Sequence, residues 1–155
     1  MHGLFVLPTG AGKTMAILFP VLHEHLEGIN GVSIVVMPFV SLAVDVLRRA
    51  RKVLKPLGIE FATWPRDFKG PGGADMNAIK LVFMQVESII TDAAAEFMRR
   101  LKAQGRLKRI IVDEVHQLLI ACDYRDCFRS LPDIVSFGVP IFGLSATLPD
   151  RKSVV

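Results

Sequence analysis

With 155 residues, 51% of them hydrophobic and 22% charged, the chain has the composition of one globular domain, long enough to bury roughly 70% of the surface its unfolded form exposes. Every apolar run is cut by charge, Gly or Pro well short of the ~18 residues of a membrane span, and no basic stretch leads into a long apolar segment as in a secretory signal. The net charge of +4 is mild, and two cysteines, Cys122 and Cys127, make neither a disulfide framework nor, without a second Cys/His pair nearby, a zinc site, which is the pattern of a reducing, intracellular compartment.

In chain order, Leu4-Phe5-Val6-Leu7 predicts a short buried strand that breaks at Pro8 into a turn carrying Gly10 and Gly12. A helix follows from Met15, which Pro20 should end or kink, and Val21 to Glu27 has helical composition before Gly28 and Gly31 mark a turn. His23 and His25, at i and i+2, fall on different sides of that helix and read as surface or packing residues. Val32 to Met37 is a continuous apolar run of the kind buried on both faces in parallel sheets, ended by Pro38. From Ser41, as N-cap, a helix is predicted to about Lys55, with Leu42, Val46, Leu47, Ala50, Val53 and Leu54 opposite Arg48, Arg49, Arg51 and Lys52, and Gly58 closes it.

Ile59 to Trp64 reads as a strand and residues 65–77 as the one long loop. Lys80 to Met84 predicts another buried strand, Glu87 to Lys102 a helix, and 107–112 a strand leading into Asp113 and Glu114. Tyr124 to Phe137 should hold a helix interrupted near Pro132. Pro140 to Leu144 is the last strand, delivering Ser145, Ala146 and Thr147 at its end. Strands and helices alternate without an internal repeat, which predicts an α/β fold: a parallel sheet with helices on both faces and its site at the carboxyl ends of the strands.

The chemistry concentrates at two of those ends. Gly10 and Gly12 let the backbone turn so that successive N–H groups converge on phosphate oxygens at a helix N-terminus, where the partial positive charge already favours an anion. Lys13 would reach the β- and γ-phosphates and the Thr14 hydroxyl would ligate Mg²⁺. The strict pattern has Gly six residues before the lysine, where this chain has Leu7, and a ligand-free glycine turn is the competing reading. Asp113 and Glu114, closing an apolar strand, are placed as a Mg²⁺-holding and a water-activating carboxylate would be, or as a solvated acid pair. Basic clusters at 48–52, 99–102 and 106–109 fit solvated helix faces or a polyanion partner. Met37, Met84 and Met98 read as core, and the high apolar content suggests surface covered by something else.

With LPTGAGKT at 7–14, VVMPFVSLAVD at 35–45, DEVH at 113–116 and SAT at 145–147, the chain resembles the first RecA-like motor domain of superfamily 2 helicases. Pro20, the PFVSL segment followed by Asp45, and Asp123-Tyr124-Arg125 make it similar to the RecQ family in particular. Val115 replaces the usual Ala of DEAH, and Leu119-Ile120-Ala121-Cys122 stands where the family carries an aromatic-rich, tryptophan-containing loop.

The resemblance implies a RecA-like P-loop NTPase domain that serves as the ATP-binding half of a 3′-to-5′ DNA helicase, with ATP and Mg²⁺ as cofactors and DNA as partner. Pro8, Thr9, Gly10, Ala11, Gly12, Lys13 and Thr14 would form the nucleotide cradle, Thr14 and Asp113 the metal site, and Glu114 the catalytic base. His116 would link the nucleotide site to Ser145, Ala146 and Thr147, which relay ATP state, while Pro38, Ser41, Gln85, Glu87 and Ser88 would lie along the nucleic-acid backbone. It also implies a domain incomplete at its N-terminus, with a second motor domain and its arginine finger outside residues 1–155, so that the nucleotide edge of the sheet should face solvent. The location implied is intracellular, the nucleus in a eukaryote. A non-catalytic remnant that binds nucleotide or nucleic acid, and an RNA-directed motor of the same superfamily, are the alternatives.

Overall fold

The computed structural model describes residues 2–6, 11–37, 40–69, 72–73, 75–89, 91–113 and 138–145. They form six strands, β1 (His2–Val6), β2 (Val32–Met37), β3 (Glu60–Thr63), β4 (Ile79–Gln85), β5 (Leu107–Asp113) and β6 (Ile141–Ser145), with helices α1 (Ala11–Leu26), α2 (Val40–Leu54), α3 (Val86–Ile89) and α4 (Asp92–Ala103). The strands make one sheet in the order β1-β6-β5-β2-β4-β3, every neighbouring pair parallel. The chain moves from β1 across to β2 and on to β3 with α1 and α2 packed on one face. It then returns from β4 to β5 with α4 on the other. Reversing direction and face together keeps the crossovers right-handed, as a right-twisted sheet demands.

Burial on both faces accounts for the apolar strand sequences. Residues 32–37 are buried throughout, even-numbered members facing α4 and Val35 and Met37 facing α1 and α2. Ile17, Leu18 and Val21 of α1 pack with Ala50 and Leu54 of α2 over Leu81, Phe83, Ile111 and Leu144. On the opposite face Ala94, Phe97, Met98 and Leu101, at helical spacing, cover Val82, Met84, Ile110 and Val112. Met37, Met84 and Met98 are core, as expected, and His23 and His25 are exposed. Three helical segments end alike, at Gly28, Gly58 and Gly105. At each the glycine has φ near +70° and the next residue donates its N–H five positions back, Ile29 to Glu24, Ile59 to Leu54 and Arg106 to Leu101.

Some expectations give way. Of the two outcomes expected at Pro20, an end or a kink, the first does not occur, and α1 runs on to Leu26. A mid-helix proline costs about 3 kcal/mol, whereas each fully buried Ile, Leu or Val contributes about 1.5–3 kcal/mol, and Ile17, Leu18 and Val21 bracket it. Ser41 lies inside the first turn of α2 rather than before it. The helix expected over 87–102 is two, because the Thr91 hydroxyl donates to the Ser88 carbonyl (2.6 Å) and accepts the Ala94 N–H (3.3 Å), so that Thr91 is extended and caps α4. The start of the 65–77 loop is tied down: Asp67 accepts the Thr63 N–H (2.8 Å), and Phe68 joins Trp64 and Phe97 in an aromatic cluster with ring centroids 4.5–5.3 Å apart. The helix expected over 124–137, with Cys122 and Cys127, lies outside the described residues. Among the described residues the exposed large apolar side chains are Met15, Phe19 and Leu26 of α1, Ile29, Val44 and Leu57.

Candidate nucleotide site

Because all strands point the same way, their carboxyl ends share one edge, and register decides which motifs meet there. β6 lies between β1 and β5, with Val6 opposite Ser145 and Leu144 opposite Asp113. The residue that leads into the glycine turn, the first residue of SAT and the first carboxylate of DEVH therefore end three adjacent strands, each about 4.8 Å from the next. Next along the same edge, Met37 of β2 stands opposite Gln85 of β4. That puts Gln85, half-buried, beside the strand end leading to Pro38, with exposed Glu87 and partly covered Ser88 in α3 just beyond. The edge thus divides into a half built from β1, β6 and β5 and a half built from β2 and β4.

Ala11, Gly12 and Lys13 form the first turn of α1, so the helix N-terminus opens at this edge with its unpaired N–H groups and positive dipole end. Thr14 is 4% exposed and Asp113 3% exposed, and each residue has an interaction partner. The two residues assigned to the metal are therefore buried, on the face of the sheet where α1 packs. A hydroxyl and a carboxylate are hard oxygen donors, the set that suits Mg²⁺, an ion that takes few protein ligands and keeps several waters. Among the described residues no group of three or more His, Cys, Asp or Glu is placed to hold a metal without such help. Ser145 ends β6 and Ser41 lies in the first turn of α2. Pro8, Thr9, Gly10, Glu114, His116, Ala146, Thr147 and Pro38 lie outside the described residues.

Sequence reasoning missed two arginines. Arg109, grouped with the basic cluster, points at the α1 face, where it pairs with Glu24 and donates to Ser33 Oγ at 2.7 Å. The pairing with Glu24 Oε1 is ionic, without an aligned hydrogen bond. Arg106 is buried and donates to the carbonyls of Met76, Asn77 and Ile79. A signal existed for Arg109: it shares strand parity with Ile111, an inward position, and a charge there needs a partner. The cations of α2 and α4 behave as solvated faces, Arg99 and Arg100 pairing with Glu96. A surface cavity of about 240 Å³ beside β3, lined by Leu47, Arg51, Lys55, Phe61 and Arg66 among others, takes no part in the nucleotide edge.

A parallel sheet in this strand order, with α1 opening at its carboxyl edge beside Ser145 and Asp113, has the architecture of a RecA-like domain. The chain belongs to the DEAD/DEAH box helicase family, whose model matches residues 2–154. It is 28% identical to activating signal cointegrator 1 complex subunit 3 of Dictyostelium discoideum over 97% of this chain and 7% of that protein. It is 27% identical to the ATP-dependent DNA helicase hus2/rqh1 of Schizosaccharomyces pombe over 97% of this chain and 12% of that one. The chain thus spans a small part of the length of these relatives. Its fold matches the UvsW helicase of bacteriophage T4 with a TM-score of 0.58, at 17% identity, over 96% of this chain and 48% of that structure. Among the described residues no helix is long and apolar enough to cross a membrane.

Proposed function

We propose that this domain is the ATP-binding lobe of a RecQ-type, 3′-to-5′ DNA helicase that couples ATP hydrolysis to unwinding. The observation that carries the nucleotide site is the register that ends β1, β6 and β5 together, with Thr14 and Asp113 on one face. Bound at that edge, Mg²⁺ would neutralise charge on the β- and γ-phosphates. Thr14 and Asp113 hold that position, Lys13 reaches the phosphates, and Gly10 and Gly12 give them backbone N–H groups. Glu114 takes a proton from the attacking water, and His116 passes the state of the site to Ser145, Ala146 and Thr147. Pro38, Ser41, Gln85, Glu87 and Ser88 follow a DNA backbone along the β2 and β4 half of the edge, contacts that give affinity without sequence choice. The similarity to hus2/rqh1, an ATP-dependent DNA helicase, supports DNA as the track, and an intracellular location, the nucleus in a eukaryote, belongs to the same reading.

A second lobe supplies the arginine finger, typically worth about 10³ to 10⁵ in rate, and residues 1–155 alone bind nucleotide with little DNA-stimulated turnover. The comparable similarity to activating signal cointegrator 1 complex subunit 3 favours, as second reading, a superfamily 2 motor outside the RecQ branch. Titration of a fluorescent ATP analogue tests the site: Lys13→Ala should weaken Mg²⁺-dependent binding tenfold or more, about 1.4 kcal/mol, and equal affinity refutes it. Comparing single-stranded DNA with RNA as competitor then tests the track, a preference for RNA excluding the first reading.

A further inference from the structure

The buried stripe of α1 is Thr14, Ile17, Leu18, Val21 and Glu24, spaced as one helix face. The strand face beneath it is Arg109, Ile111 and Asp113, alternate residues of β5. Since α1 connects two parallel strands, it runs antiparallel to β5. Glu24 therefore meets Arg109 at the foot of the sheet, the three apolar residues of α1 pack with Ile111 in the middle, and Thr14 and Asp113 end the stripe at the top. The two legs are nearly equal. Ten helical residues from Glu24 to Thr14 rise about 15 Å, and four strand residues from Arg109 to Asp113 rise about 13 Å.

The foot is fitted closely. Gly31 is buried beside the pair, and a Cβ there would collide with Glu24 Oε2 and Lys108 Cγ, while Ser33 Oγ takes a second Arg109 N–H at 2.7 Å. Apolar packing in the middle is non-directional and resists an axial slide less sharply than a charged pair does. A charged pair held in one place, Arg109 by Ser33 and Glu24 by the close fit at Gly31, resists such a slide.

We infer that the Glu24–Arg109 pair is a positioning device that sets the axial register of α1 on β5, and through it the placement of Thr14 relative to Asp113. The inference rests on the nucleotide-site reading above. Neither residue touches the nucleotide; they act at the far ends of the two elements that carry the Mg²⁺ donors. A displacement of about 1 Å at a reacting centre is able to cost 10²-fold, so a small slip of α1 matters at the metal and far less for phosphate held by the glycine turn alone.

The decisive variant is Glu24→Met combined with Arg109→Met, which removes both charges, keeps apolar volume and leaves no unpaired ion, a replacement that commonly preserves stability. Nucleotide-analogue affinity is measured with Mg²⁺ and with EDTA, beside a urea denaturation midpoint. Wild-type stability and unchanged affinity in EDTA, with Mg²⁺-dependent affinity down about tenfold, are expected; wild-type affinity under both conditions would make the pair purely structural and overturn the inference. Should the double variant not fold, Glu24→Gln, which keeps the shape and drops the charge, is judged by the same ratio. If the wild type shows no Mg²⁺-dependent binding, the site reading itself fails. A crystal structure of the double variant then still decides the register, since an α1 unmoved on β5 would overturn it.

Discussion

The two faces of the sheet are built to different rules. Under α4 the packing is apolar from end to end, Val32, Ile34, Val36, Val82, Met84, Ile110 and Val112 meeting Ala94, Phe97, Met98 and Leu101, with Trp64 and Phe68 against it. Under α1 the centre is equally apolar, yet the stripe begins at Thr14 and ends at Glu24, over a strand face that begins at Arg109 and ends at Asp113. Apolar contact supplies most of the free energy of holding layers together and little of their exact alignment, whereas ionic and hydrogen-bonded contacts are worth less net but act in one geometry. The α4 face is packed for stability, and the α1 face also carries the two residues assigned to the metal.

The largest test of that division is on the apolar side. Phe97 is buried and stacks on Trp64 with centroids 4.5 Å apart, so Phe97→Ala should cost about 3–5 kcal/mol in urea denaturation. Nucleotide affinity of the folded fraction should stay unchanged, and a parallel loss of affinity would erase the distinction between the faces. Smaller is the effect at the foot of the sheet. Arg106→Met strands the carbonyls of Met76, Asn77 and Ile79 and should cost about 1–3 kcal/mol, with amide exchange rising first over 75–79. Smallest is Glu96→Ala, which removes two exposed ion pairs, to Arg99 and Arg100, and should shift stability by no more than about 0.5 kcal/mol. A loss of several kcal/mol there would mean that the outer face of α4 is covered rather than solvated.

The strand at 32–37 and the 110–112 part of β5 were legible because a segment buried on both faces leaves a continuous apolar run, and their parallel direction followed from the alternation of strands with helices. The division at Thr91 was not, since one hydroxyl serving two backbone groups outweighs helical spacing that continues on either side. Arg106, Lys108 and Arg109 looked like one basic cluster, but one sits on backbone carbonyls and another on Glu24. Charge pattern reveals which groups are ionised and says nothing of which are covered.

By itself the sequence determined the alternation of strands and helices, the helix that carries Lys13 and Thr14 after the first strand, and the acid that ends β5, because these depend on local backbone freedom and on the period of apolar residues. Only the tertiary structure decided that β6 lies between β1 and β5, so that Val6, Ser145 and Asp113 end side by side, and that Glu24 and Arg109 meet beneath them. Strand order and burial are properties of contacts between residues far apart in the chain, and such contacts are set by closing the sheet and covering both its faces, which no local pattern encodes.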